Sequence, residues 1–210
     1  MTGTLAVICK EPVAGRVKTR LCPPFTLGEA ARLAEAALRD TLAAVTAAAC
    51  DRRVVILDGV PGPWLPPGFE AIGQRGAGLA DRLASGFEDI GDGPTLLVGM
   101  DTPQITPGLL EEGLWLTRHH GAVLGPAQDG GYWAIGLTQP DRALFDGVPM
   151  STPATGRQQL ARLRARGLEP AVLRTLTDVD DIASAEAVAA AAPATRFAAA
   201  LSAIAIANAA

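Results

Sequence analysis

The sequence predicts an α/β fold, a three-layer α/β/α sandwich, from three observations. Residues 5–9 (Leu-Ala-Val-Ile-Cys) and 95–99 (Thr-Leu-Leu-Val-Gly) are short apolar runs with the look of strands buried on both faces. Residues 30–45 and 77–90 instead space their leucines and alanines at helical period, leaving one apolar stripe each. These two patterns alternate along the chain, as they must when helices cover both faces of a sheet.

Taken in order, the first strand runs into a loop holding Pro12 and Gly15, and Thr26-Leu27-Gly28-Glu29 then has the spacing of a capping box. A second strand is expected at 53–57, a helix at 77–90 and a third strand at 95–99. Thr106-Pro107 starts another helix, with threonine as N-cap and proline at its first position. Strands at 121–125 and 133–137 flank the polar turn Gln128-Asp129-Gly130-Gly131. A basic helix (155–166), a strand (171–174), Asp178-Val179-Asp180-Asp181 and two terminal helices within the alanine-rich 183–210 complete the chain. Right-handed crossovers place the strand C-termini along one edge, where such folds bind ligands. The proline-rich stretch 58–68 is too short to divide two cores, so one domain, 1–210, is expected.

Composition narrows the function classes. With 49% hydrophobic and 19% charged residues, 210 residues suit one sizeable core. A formal net charge of −4 argues against a general nucleic-acid binder, which needs a basic surplus. Three cysteines (Cys9, Cys22, Cys50) without C-x-x-C spacing favour neither a disulfide framework nor a zinc knuckle, and a reducing cytoplasm fits them. No export signal is expected at Met1-Thr2-Gly3, and Glu186, Pro193 and Arg196 interrupt the alanine-rich tail, so no membrane span is expected there either.

Four stretches carry chemistry. Residues 10–21 place Lys10, Arg16, Lys18 and Arg20 around Gly15, just past the first strand. Phosphate is the natural partner of such a loop, because glycine admits an anion close to backbone and the cations supply charge and bidentate donors. A solvated basic loop is the plainer alternative, and P-loop spacing is absent. Asp101 follows directly on an apolar strand, where a hard cation such as Mg2+ or Mn2+ would find an oxygen ligand, although an Asx turn before Pro103 would look the same. Asp178, Asp180 and Asp181 could reach the same edge or cap the following helix. Asp129, Gly130, Gly131, Tyr132 and Trp133 combine a turn, a carboxylate and two of the chain's few aromatics; they suit a sugar or base, or a plain hairpin. Gln74, Gly78 and Arg82 precede and open a helix and could hold base, ribose or phosphate, or only form that helix's start. His119-His120 complement a helix C-terminus rather than mark a metal. Ser151-Thr152 lack a nucleophile-elbow context.

Together these stretches resemble the small bacterial GT-A-type transferases of the DUF2064 family, also described as selenodomain-associated transferase 1, which include arsenosugar and selenosugar glycosyltransferases. The resemblance runs from Lys10-x-Pro12-x-x-Gly15-x-Val17-Lys18-Thr19-Arg20-Leu21 through Gly99-x-Asp101-x-Pro103 and Gly125-Pro126-Ala127-x-Asp129-Gly130-Gly131-Tyr132 to Asp178-Val179-Asp180. More distantly the chain is similar to sugar-phosphate, molybdopterin and phospholactate nucleotidyltransferases. The resemblance implies the nucleotide-diphospho-sugar transferase fold: a mostly parallel mixed sheet, a nucleotide half at about 1–103, an acceptor half at about 104–193, and a C-terminal helix at about 194–210. It implies phosphate binding by Arg16, Lys18 and Arg20, nucleoside binding by Gln74, Gly78 and Arg82, and a metal on Asp101 with Asp178 or Asp180. Acceptor contacts are expected around Ser151 and Thr152, where many relatives carry a preceding tryptophan and this chain has Met150.

The expected activity is metal-assisted glycosyl transfer from a nucleotide sugar to a small acceptor, such as a selenium, arsenic or phosphate nucleophile, with Lys18 and Asp129 as catalytic residues. One rival is nucleotidyl transfer, in which a phosphorylated acceptor attacks a nucleoside triphosphate. Ile8-Cys9-Lys10-Glu11-Pro12-Val13 stands where nucleotidyltransferases carry a glycine-rich fingerprint, and this weighs against that rival. A non-catalytic nucleotide-binding module is the other. The oligomeric state is not legible in the sequence.

Overall fold

The computed structural model describes residues 3–209; the expectations touching Met1, Thr2 and Ala210 lie outside the described residues. Strands β1 (Thr4–Lys10), β2 (Arg52–Asp58), β3 (Glu70–Gly73), β4 (Thr95–Gly99), β5 (Ala122–Pro126), β6 (Tyr132–Leu137) and β7 (Ala171–Val172) form one seven-stranded sheet in the order β3-β2-β1-β4-β6-β5-β7. All neighbouring pairs are parallel except those made by β6, which runs antiparallel to both β4 and β5. The expected mostly parallel mixed sheet is therefore present, and β5 and β6 form the hairpin that is one of the two readings the sequence allows.

Residues of β1 alternate between two cores, as strand geometry demands. Leu5, Val7 and Cys9 join Leu38, Leu42 and Val45 of α1 (Leu27–Ala47) and Leu109, Leu110 and Leu114 of α3 (Pro107–His120). Ala6 faces Leu83, Ala84 and Phe87 of α2 (Leu79–Ile90) and Leu163 of α4 (Thr155–Ala165) on the other side. These are the three layers. Thr26 and Glu29 close the capping box of α1 reciprocally, and Thr106 caps α3 ahead of Pro107.

Three boundaries differ from the sequence reading. β3 has no counterpart there, because only Ile72 of its residues is even half-buried and no apolar run marks an exposed edge strand. β7 is two residues long rather than four. The stretch 58–68 is packed, not linker-like: Trp64 is buried in the first core and the Arg39 guanidinium donates to the Pro63 carbonyl at 3.2 Å.

A third cluster explains the alanine-rich end. Leu33 and Ala37, on the outer side of α1, bury Phe197, Leu201 and Ile204 of α6 (Arg196–Ala209), with Val188 of α5 (Ile182–Ala191) alongside. No helix among the described residues is long and apolar enough to cross a membrane. The docking point is Asp40, buried on α1, whose carboxylate accepts the backbone N–H groups of Arg196 at 3.0 Å and Phe197 at 2.9 Å. It thus satisfies two orphan donors of a helix belonging to the far end of the chain. Asp40→Ala is expected to cost about 1–3 kcal/mol in thermal or urea unfolding and to make α6 the first site of proteolysis.

Candidate active site

The C-terminal ends of β1, β2 and β4 lie level, since Lys10 pairs with Asp58 and Ile8 with Gly99. Because β6 runs the other way, its first residue, Tyr132, lies at this same edge, opposite Pro126 at the end of β5. The edge opens into a cleft of about 830 Å³, a size suited to a nucleotide with a second small molecule. Of the expected site residues, Lys10, Arg16, Lys18, Arg20, Gln74, Gly78, Arg82, Asp101, Asp129, Gly131, Tyr132, Trp133, Ser151, Thr152, Asp178 and Asp180 line it.

Lys18 is the centre of the basic loop. Its backbone is left-handed (φ 49°), and its side chain, only 9% exposed, forms an ion pair with the Asp101 carboxylate at 2.8 Å. The same ammonium donates to the carbonyl of Val179, whose N–H donates back to the Asp101 carbonyl at 2.8 Å. Three segments distant in sequence thus meet at one cation. Beside them Arg20 pairs with Asp180.

A second group sits at the β2 side of the cleft. Arg16 and Arg82 pair with the two carboxylate oxygens of Asp58, at 3.1 and 3.2 Å. The Gln74 amide donates to the carbonyls of Cys9 (2.8 Å) and Ile56 (3.0 Å), and its own oxygen accepts from Arg82 at 3.3 Å. Gln74 is therefore a strut that holds a guanidinium. Asp58 is absent from the residues that sequence reasoning singles out, although the signal is available: like Asp101, it ends a buried apolar strand.

In the other half, the Asp129 carboxylate accepts the Gly131 N–H at 2.7 Å. Gly130 (φ 90°) is not on the cleft wall. A side chain there would collide with the Pro153 carbonyl, so its role is close packing against the start of α4. Gly15 (φ 82°) likewise serves a turn and does not line the cleft. Trp133 borders the cleft but is almost wholly buried in the core, and its indole N–H donates to the Arg174 carbonyl at 3.1 Å, so little of its ring is open to a ligand. Tyr132 is largely buried too, its hydroxyl donating to Gln159 at 3.4 Å, and burial pushes its phenol upward. Ser151 stands exposed at the rim in a left-handed conformation (φ 59°).

The electrostatics single out Asp178. Burial raises its carboxyl above the ordinary range, the nearby Asp129 charge raises it further, and Asp101 adds to this while Lys18 opposes it. Burial, aided by Asp101, pushes the Cys9 thiol up to about 12, which rules it out as a nucleophile near neutral pH. All three cysteines are free thiols. Among the described residues no group of three or more His, Cys, Asp or Glu side chains could by itself hold a metal ion. Asp101 and Asp178 nonetheless fit a magnesium-like cation, which takes one or two protein carboxylates and completes its shell with substrate phosphate and water. The crowding of negative charge that raises Asp178 is what such a cation would relieve.

Known proteins share this fold. The model of a family described as uncharacterised proteins conserved in bacteria, DUF2064, matches residues 30–152. A candidate nucleotide-diphospho-sugar transferase from Desulfovibrio desulfuricans G20 is 26% identical, superposes with a TM-score of 0.78, and covers 86% of this chain and 83% of its own. CMP:2-keto-3-deoxy-manno-octonic acid synthetase, solved with CTP, is 14% identical (TM-score 0.56; 90% and 97% covered). The 2-C-methyl-D-erythritol 4-phosphate cytidylyltransferase of Thermus thermophilus is 18% identical (TM-score 0.56; 92% and 100% covered). At such identities the last two show the fold alone. No curated protein matches by sequence.

Two outcomes are expected of variants. Asp178→Asn raises the metal-free Tm at neutral pH, because the folded state no longer holds a disfavoured carboxylate. A carboxyl whose pKa is raised on folding is penalised above that pKa and not below its unfolded value, so the gain shrinks as the pH falls through the ordinary carboxylate range. Tm measured against pH checks the sign. Lys18→Met strips Asp101 of its cation and releases Val179; unfolding should show a loss of about 1–3 kcal/mol, less than for a fully buried pair because Asp101 is 42% exposed.

Proposed function

The chain belongs to the DUF2064 family, and from that membership and the geometry of the cleft we propose that it is a metal-dependent transferase, moving a sugar from a nucleotide-sugar donor to a small acceptor and releasing a nucleoside diphosphate. The observation that carries the choice of donor is the fate of the backbone donors after β1. The N–H of Lys10 donates to Met100 sulfur at 3.3 Å, Glu11 to the Asp58 carbonyl at 3.0 Å, Val13 to Glu11 at 2.8 Å and Arg16 to Val13 at 3.0 Å. A triphosphate cradle needs such groups free and aimed at the ligand. Here these four are spent, two on Met100 and Asp58 and two inside the loop, and the loop offers side-chain charge beside them, which suits a diphosphate.

In this reading Arg16 and Arg82 exchange Asp58 for the phosphates, with Gln74 keeping Arg82 in place, while Gly78 opens the nucleoside side of the cleft. Arg20 and Lys10 flank the same wall. Asp101 and Asp178 would hold Mg2+ or Mn2+, with Asp180 beside them in its pair with Arg20. The ion's contribution when bound is to stabilise charge on the departing diphosphate. Lys18, fixed against Asp101 and Val179, adds a positive charge at the same place without needing to reorganise. Asp129 stands across the cleft with a free carboxylate oxygen and takes the acceptor's proton. Free thiols and a small-molecule cleft suit a cytoplasmic enzyme.

The test is product identification. The protein is incubated with nucleotide sugars or with nucleoside triphosphates, with Mg2+ or Mn2+ and an acceptor panel. Nucleoside diphosphate release is expected; pyrophosphate release would establish nucleotidyl transfer instead, and nucleotide-dependent thermal stabilisation without any turnover would establish a binding module. Asp101→Ala should lower kcat/KM by about 10²-fold.

A further inference from the structure

The cations of the cleft are all on one side. Lys10, Arg16, Lys18, Arg20 and Arg82 line it, and every one comes from the β1 loop or the start of α2. The opposite wall, from Ala127 through Tyr132 and from Met150 through Thr155, brings no lysine or arginine to the cleft. It brings Asp129, and the partly buried Asp178 lies close enough to feel that charge.

Main chain could still have made an anion site there, since the start of α4 and a glycine turn are the usual sources of free N–H groups. Seven of those N–H groups are spent internally. In the turn, Ala127 donates to the Gly131 carbonyl (3.1 Å), Gln128 to Leu176 (2.9 Å), Gly130 to Ala127 (3.1 Å) and Gly131 to the Asp129 carboxylate (2.7 Å). At the helix, Ala154 donates to the Thr152 hydroxyl (3.3 Å), Thr155 to the Thr152 carbonyl (3.0 Å) and Gly156 to the Gly130 carbonyl (2.8 Å). The turn and the helix start satisfy one another, and this mutual satisfaction is what the missing side chains of Gly130 and Gly156 permit. What remains facing the cleft is a carboxylate, hydroxyls, and the apolar surface of Tyr132 and Met150.

We infer that the acceptor is an uncharged or cationic nucleophile, an alcohol or amine, and not a phosphorylated compound. A phosphomonoester on this wall would give up its hydration for no compensating cation and would meet Asp129. The inference rests on the transferase reading and adds the acceptor class to it. The chemistry balances: the acceptor's oxygen or nitrogen forms a bond to the anomeric carbon, the bond from that carbon to the diphosphate oxygen breaks with its electron pair leaving on the diphosphate, and the acceptor's proton passes to Asp129.

The test has a binding arm and a kinetic arm. The full chain is saturated with nucleoside diphosphate and Mg2+, then titrated with inorganic phosphate while the amide resonances of Gly130 and Gly131 are followed. Phosphate binding weaker than about 1 mM, or none, is expected, and binding tighter than this would overturn the inference. Ser151→Lys, which places a cation at the rim, should tighten phosphate binding at least about tenfold, showing that charge and not space excludes it. In the kinetic arm, alcohols and amines are compared with their own phosphate esters as accelerators of nucleoside diphosphate release. The unphosphorylated member should be favoured by about tenfold or more in kcat/KM, and the reverse preference would overturn the inference. Failure of nucleoside diphosphate to bind at all would be a different result, sinking the transferase reading and the inference with it.

Discussion

The ion pair between Lys18 and Asp101 is the point at which three segments distant in sequence are held together. Lys18 lies in the loop after β1, Asp101 just past β4, and Val179, which accepts from the same ammonium, on the approach to α5. Removing such a cation from water is unfavourable unless its donors are used, and here a carboxylate and a carbonyl use them. The carbonyl ties Asp178 and Asp180 to the sheet edge. Together with the Val179 N–H on the Asp101 carbonyl, it keeps Asp178 partly buried near Asp101 and Asp129, where its carboxyl is raised. The pair therefore helps to build both the basic wall of the cleft and the carboxylate cluster that faces it.

The second constraint is the reversal of β6. In an all-parallel sheet the segment before a strand starts at the N-terminal edge, away from ligands. Because β6 is antiparallel to β4 and β5, the turn before it arrives at the C-terminal edge, and Asp129 comes with it. One reversed strand thus converts a sheet edge into a cleft with two walls. The walls then differ in charge because they come from different halves of the chain, and in the proposed reaction this division would separate a diphosphate from its reaction partner.

Much of this was legible in the sequence because local rules applied. Apolar runs mark β1, β2 and β4, which are buried on both faces, and Thr26-Leu27-Gly28-Glu29 marks α1 with a capping box that closes as expected. β3 leaves no trace because an edge strand with one half-buried residue has no hydrophobic pattern to read. Asp58 is hidden by its neighbours, prolines and glycines, which read as a linker until Trp64 is seen to be buried against α1. Trp133 shows the reverse: a rare aromatic beside a glycine turn does reach the cleft, but its position within β6 packs most of the ring into the core, which the sequence does not reveal.

The sequence by itself determined which residues carry charge, which segments are buried strands, and where each of those strands ends, and so it determined most of the cast of the site. The tertiary structure decided the partnerships: Lys18 with Asp101, two arginines on Asp58, and α4 with the turn at Gly130. The physical reason is that burial and periodicity are written in neighbouring residues, whereas an ion pair or a spent N–H depends on distant segments being brought to one edge, as Lys18 and Val179 are across 161 positions of the chain.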